Sequence, residues 1–255
     1  MKKYQKQNGM TVNAEYEEEQ GNPFFEALPE ILGKEEVMKR LRSQIPYPKD
    51  IQKRSPEERR REVMEISKWF YPMDYMYTIY DMLYRAMSAT YQTKNIVDHI
   101  RQMNDLYMDF RTGREREFQY ATQAYTGAVL GVPGIGKTST VQRCLSLMPQ
   151  VIVHTNYGGK PMYTKQINYL FVECPSDCSV RTLAFNIFSA IDRAIGSDYL
   201  KQATYQRAVA ASATTTKLKI ICMNHHIGLI VIDEIQNAIQ TAVKNRQLKP
   251  LVKFL

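Results

Sequence analysis

The stretch Gly131-Val132-Pro133-Gly134-Ile135-Gly136-Lys137-Thr138 satisfies the pattern G-x-x-x-x-G-K-[ST] at every fixed position. The residues before it, Ala128-Val129-Leu130, are small and apolar and are expected to end a buried strand. From Ser139 to Met148 the spacing of Val141, Leu145 and Met148 predicts a helix. Strand, loop and helix together are the context that a phosphate-binding loop needs. Its glycines let successive backbone N–H groups turn inward toward phosphate oxygens, and the helix start adds partial positive charge at the same point. Residues Gly131 to Ser139 are therefore the expected nucleotide-binding set. Lys137 is expected to reach the β- and γ-phosphates of ATP, and the Thr138 hydroxyl to ligate Mg²⁺.

A second stretch, Gly228-Leu229-Ile230-Val231-Ile232-Asp233-Glu234, reads as a strand buried on both faces and ending in two acids. Ligands of open α/β sheets bind at the carboxyl ends of strands. Paired carboxylates there are costly without a cation or a water to act on. Asp233 is the expected partner of Mg²⁺. Glu234 is the expected catalytic residue, polarising a water for attack on the γ-phosphate, with Lys137 as its electrostatic counterpart.

The 255 residues suffice for one α/β domain with an appended helical region. Hydrophobic content of 44% and charged content of 24% are those of an ordinary globular chain, which argues against a disordered or fibrous protein. No apolar run reaches the ~20 residues of a membrane span. The start, MKKYQKQNGM, lacks the apolar core of a secretory signal. Cys144, Cys174, Cys178 and Cys222 have no His or Cys partner at ligand spacing, so they read as free thiols suited to a reducing, cytoplasmic setting. The net charge is +8. Ten basic and five acidic residues fall between Lys34 and Arg61, with Arg59-Arg60-Arg61 the densest run. Such a surface attracts phosphate backbones without reading sequence, although a solvated helix face looks the same.

Taken in order, residues 1–55 are expected to be a flexible arm. Within it, Asn22-Pro-Phe-Phe-Glu-Ala-Leu-Pro29 stands out as a docking segment, either for its own domain or for a partner. Residues 56–120 form a helical region. Ser55-Pro56-Glu57-Glu58 is a helix start, Met76, Tyr80, Leu83 and Met87 follow helical spacing, and another helix is expected from about Lys94 to Phe110. The tyrosine- and methionine-rich stripe reads first as core, with base stacking as the sharper alternative. Residues 121–255 are the ATPase domain. In it Val151 to Lys165 is read mostly as loop, Gln166–Glu173 as a buried strand, 179–195 as a helix capped by Ser179 and closed by Gly196, and 200–226 as another helical pass.

Four segments carry a resemblance. Asn22–Pro29, Gly131–Thr138, Ala190-Ile-Asp-Arg-Ala-Ile-Gly-Ser-Asp-Tyr199 and Gly228–Gln236 are similar to TnsC, the AAA+ ATPase that regulates target selection in bacterial cut-and-paste transposons, a relative of MuB and IstB. The two nucleotide motifs mark any P-loop ATPase, and the other two segments point to TnsC. The resemblance implies an AAA+ fold with a parallel sheet flanked by helices. It also implies self-association into a ring or filament on duplex DNA, partnership with a target-selection protein and a transposase, and ATP hydrolysis as a switch. Lys137, Thr138, Asp233 and Glu234 match the family's nucleotide motifs.

That family continues past the acidic strand into a sensor strand, a fifth strand, an arginine finger and a helical lid. This chain stops at Leu255. The expectation is therefore a C-terminally truncated product, binding nucleotide itself, whose intact parent hydrolyses ATP. The alternatives are another DNA-directed AAA+ ATPase such as a helicase loader, a small-molecule kinase, or a non-hydrolysing interaction module.

Overall fold

The computed structural model describes residues 10–16, 21–44, 49–92, 108, 111–112, 125–175, 179–205 and 211–236. They fall into two compact units. One takes the described residues of 1–29, 85–128 and 148–255, the other those of 30–84 and 129–147.

The larger unit is built from two small sheets. Strands β1 (Thr11–Asn13), β2 (Val151–Tyr157) and β3 (Lys160–Ile167) form the first, with β1 parallel and β3 antiparallel to β2. Strands β4 (Tyr169–Glu173) and β5 (Leu229–Asp233) form the second and run parallel, in the register Tyr169↔Leu229 to Glu173↔Asp233. The α/β class holds, with a mixed rather than wholly parallel set of strands. Residues 151–165, expected to be mostly loop, are instead a hairpin closed by Gly158-Gly159. The strand expected over Gln166–Glu173 is interrupted at Asn168. There the side-chain amide donates to Pro149 O at 2.9 Å and the chain passes from one sheet to the other.

A long helix covers β4. It runs Val180–Ile195, starts where Ser179 Oγ accepts from Thr182 N at 3.0 Å, and ends at Gly196. Leu183, Ile187, Phe188 and Ile191 lie at helical spacing on its buried face. They join Leu170 and Val172 of β4 in one core. The segment Ala190–Tyr199 owes its pattern to the joint that follows. Asp192 Oδ1 accepts from Ser197 Oγ at 2.6 Å and Tyr199 N at 2.8 Å, and its Oδ2 accepts from Leu200 N at 2.9 Å. One carboxylate thus caps the next helix, Tyr199–Tyr205. A further helix, Ala211–Asn224, leads through His225-His226 into β5.

The N-terminal arm is anchored where it is described. Thr11–Asn13 pairs with Val151–Val153, a match across the sequence that no local pattern announces. Asn22 caps a short helix, Pro23–Glu26, that buries Phe24. The Phe24 ring stacks on His226 with centroids 3.8 Å apart and meets His154 edge-on at 5.4 Å. Beneath it, Gln166 Nε2 donates to Phe24 O at 3.0 Å and its Oε1 accepts from His154 Nε2 at 2.8 Å. Tyr16 Oη lies 2.5 Å from His154 Nδ1, and burial lowers the histidine's pKa, so the ring is held neutral. The docking segment therefore docks on its own unit.

In the smaller unit, Ser55 and Glu58 form a complete capping box at the start of helix Pro56–Glu65. Helix Tyr75–Gln92 contributes its residues up to Tyr84 here and the rest to the larger unit. Met76, Tyr80, Leu83, Met87 and Tyr91 are all buried, which makes the tyrosine–methionine stripe core and not a stacking surface. The helix expected over 94–110 lies outside the described residues, apart from position 108. Cys144 and Cys174 are buried and Cys222 is half-buried, all three as thiols outside a disulfide; Cys178 lies outside the described residues. Burial pushes the Cys144 thiol up to about 12, which removes it from thiolate chemistry at neutral pH. Among the described residues no helix is long and apolar enough to cross a membrane.

Replacing Phe24 with Ala is expected to lower the unfolding free energy of the chain by about 3–5 kcal/mol, the usual cost of emptying a buried aromatic site. Urea denaturation followed by circular dichroism measures it. A loss below about 0.5 kcal/mol, typical of surface positions, would mean that this segment is no part of the folded unit.

Candidate functional site: a phosphate loop and an acidic strand end

The loop Gly131–Gly136 lies in the smaller unit and feeds the helix Lys137–Leu145. Gly134 has φ +81° and Gly136 φ +86°, a backbone that side chains with a Cβ rarely adopt. A Cβ at either position would meet no atom within 4 Å, so what reserves these positions for glycine is conformation and not space. At Gly131 a Cβ would lie 3.4 Å from Ile135 Cγ2 and 3.6 Å from Lys137 Cδ, inside the cradle that the loop makes around the lysine stem. Lys137 Nζ donates to Gly131 O at 2.9 Å and to Val132 O at 3.1 Å. The ammonium is thereby held over the loop, bonded among the described residues to neutral acceptors, where an anion can recruit it.

No side chain caps the helix that follows, since its cap residue is Gly136. A nine-residue helix with such a start offers its amide end to an anionic ligand. The other end is well anchored within the unit. Thr140, Val141, Cys144 and Leu145 are buried, Cys144 Sγ donates to Met76 O at 3.5 Å, and the Arg143 guanidinium lies 3.8 Å from the Phe70 ring centroid. Val132, Pro133, Gly134, Ile135 and Ser139 are exposed, while Lys137 and Thr138 are half-buried.

The strand expected before the loop is not formed. Ala128 and Leu130 are exposed, Leu130 by 90%, and residues 125–130 carry no regular structure. Apolar residues alone do not make a strand. The backbone needs a neighbouring ladder, and among the described residues this segment has none.

The acidic pair lies in the larger unit. β5 is only half-buried, with Ile230 exposed by 36%, and not enclosed on both faces as its sequence suggested. Its end is well defined even so. Asp233 O accepts from Cys174 N at 2.9 Å, and Asp233 Oδ1 accepts from Glu234 N at 3.0 Å. Glu234 is exposed and has φ +56°, a rare conformation for a residue with a Cβ. Gln236 donates to its carboxylate. Strained backbone of this kind costs of order 1–3 kcal/mol and concentrates at working sites.

Sequence reasoning missed Glu173. The parallel register sets it beside Asp233, so two adjacent strands each end in a carboxylate. The signal was present, because Glu173 closes an apolar run and carboxyl ends of parallel strands carry ligands. Among the described residues no group of three or more His, Cys, Asp or Glu side chains could hold a metal ion. The Thr138 hydroxyl in the smaller unit and the Asp233 carboxylate in the larger are each of a donor type that Mg²⁺ accepts in nucleotide sites, where phosphates and water complete the shell.

Comparison with known proteins agrees with this reading at the level of family. Residues 120–255, more than half of the chain, match the family model described as an AAA domain. No curated protein matches the chain. AAA domains bind nucleotide, usually with Mg²⁺. The chain belongs to the AAA family of ATPases.

Proposed function

We propose that this protein is an ATP-dependent regulator of DNA transposition of the TnsC type, which binds duplex DNA without reading its sequence and uses ATP hydrolysis as its switch. The observation that carries the nucleotide part is the loop itself, with two left-handed glycines, an uncapped helix start and a lysine held over the loop on neutral carbonyls. Two further segments, Asn22–Pro29 and Ala190–Tyr199, support the narrower reading, because they resemble TnsC outside the motifs common to all P-loop ATPases.

In this reading MgATP supplies the transferable phosphoryl group and the cation that neutralises charge on it. Gly131 to Ser139 bind the phosphates through backbone amides. Lys137 leaves its two carbonyl acceptors for the β- and γ-phosphates, which are stronger partners because they are charged. Thr138 and Asp233 would each serve as a ligand for such a cation. Glu234 orients a water and takes its proton.

Duplex DNA is the proposed polymer partner. Of the basic residues near the N-terminus, Lys34, Lys39, Arg40 and Arg54 are engaged in ion pairs with Asp74, Glu36, Asp50 and Glu62. Arg59, Arg60 and Arg61 are exposed and form no ion pair among the described residues. They are the cations best placed for phosphates. Head-to-tail self-association, in the cytoplasm, would build a ring or filament on the DNA. A target-selection protein would seed that assembly, and a transposase would read it.

Two measurements test the proposal. Lys137→Ala is expected to weaken ATP binding about 10- to 100-fold, the worth of a charge-assisted hydrogen bond. Glu234→Gln should bind ATP normally and turn it over about 10²- to 10⁴-fold more slowly. Wild-type turnover by Glu234→Gln would contradict the assigned role. On DNA, each phosphate contact contributes about 0.9 to the slope of log affinity against log salt. Changing Arg59, Arg60 and Arg61 together to Ala should reduce that slope by about 2–3 on any duplex, and an unchanged slope would exclude them as phosphate contacts.

A further inference from the structure

The acidic strand is short and half-exposed, and among the described residues it is paired on one side only. Its register must be set at its ends, because a slip of one residue would exchange the faces of every side chain along it. One end is tied by Asp233 O and Cys174 N. The other carries an unusual construction.

The Tyr91 side chain is fully buried. Its hydroxyl lies 2.7 Å from His226 O and 3.1 Å from Ile167 O. These carbonyls belong to the lead-ins of β5 and β4. Burial raises the pKa of the phenol, so it keeps its proton and remains a donor. Ile167 O also accepts from Gly228 N at 3.0 Å, which closes the joint. A Cβ at Gly228 would fall 2.6 Å from Tyr91 Oη, 2.7 Å from Tyr91 Cε2 and 2.8 Å from Asn168 O. Two of these atoms belong to a ring locked in the core and the third to the backbone, so none can yield cheaply. Gly228 is required here by close approach.

We propose that Tyr91 and Gly228 form a clamp that fixes the register of the acidic strand, and that Tyr91 is thereby a positioning residue for Asp233 and Glu234. The functional half of this statement rests on the ATPase reading above. The clamp is backed from outside, since Asn22 Nδ2 donates to Tyr91 O at 2.9 Å and the Phe24 ring lies on His226. The N-terminal segment thus supports the strand through Tyr91 and His226.

The test is Tyr91→Phe in the full chain, which removes the hydroxyl and keeps the ring. Hydrogen exchange is read at the amides of 229–233 and, as internal reference, at those of 183–191. We expect exchange at 229–233 to rise at least about tenfold while the reference changes by less than about threefold, since local opening and global unfolding are separable. Tyr157→Phe removes a hydroxyl that donates to Glu26 in the same unit and should leave 229–233 unchanged. Asn22→Asp keeps the cap on Phe25 N, loses the bond to Tyr91 O and should raise exchange at 229–233 more weakly; it decides the matter if Tyr91→Phe does not fold. An equal rise in both regions, or no rise at 229–233, overturns the clamp. ATP turnover is the second readout. With wild-type turnover present, kcat should fall in Tyr91→Phe with KM unchanged, and an unchanged kcat overturns the positioning role. A wild-type chain without turnover contradicts the ATPase reading instead, and the exchange data still decide the clamp.

Discussion

The backbone at Gly134 and Gly136 is the constraint on which the phosphate loop depends. Both residues have φ above +80°, and no neighbouring atom would obstruct a side chain at either. The conformation alone selects glycine, at roughly 1–2 kcal/mol per residue for anything else. That conformation turns the chain so that a helix begins directly at Lys137, without a side-chain cap, and the lysine folds back onto Gly131 O and Val132 O. The rest of the smaller unit serves to hold the helix from behind, through Cys144 on Met76 and Arg143 on Phe70. An uncapped helix start with a lysine ammonium held over it is an arrangement suited to phosphates.

The larger unit meets a different demand. Its two acids sit at the end of a short strand with little burial to steady it. The fold compensates by fixing that strand from both ends and from beneath. Helix Val180–Ile195 presses β4 into the core, β4 carries β5 in parallel register, and the joint at Tyr91, Ile167 and Gly228 sets where β5 begins. Three buried polar side chains beside this joint are hydrogen-bonded. Gln166, Asn168 and His154 are fully buried, yet each is bonded to a backbone carbonyl or another side chain. These bonds favour one arrangement of the two sheets, because another would leave buried donors unpaired.

Much of this was legible because the signals are local. The glycine pattern of the loop, the Ser55–Glu58 capping box, the Ser179 cap with its Gly196 stop, and the buried face of Met76, Tyr80, Leu83 and Met87 all depend on neighbours within a few residues. Failures came where partners are distant. Thr11–Asn13 becomes a strand only because Val151–Val153 is beside it. Residues 128–130 look like a strand and are not one, for want of such a neighbour. The hairpin 151–167 was hidden by its composition. Lys160, Thr164 and Lys165 give its second strand a polar composition, although a Gly-Gly turn between two alternating runs is itself a hairpin signal. Phe24 was recognised as a docking residue, but its place between His154 and His226 required the fold.

The central proposal is that Asp233 is a ligand of the Mg²⁺ that accompanies ATP. Calorimetric titration of ATP with and without Mg²⁺, on the wild-type chain and on Asp233→Asn, addresses it directly. If the proposal holds, Mg²⁺ tightens ATP binding to the wild type, and Asp233→Asn removes that gain while leaving Mg²⁺-free binding as it was. A gain of the same size in both chains would show that Asp233 does not hold the cation, and would contradict the account.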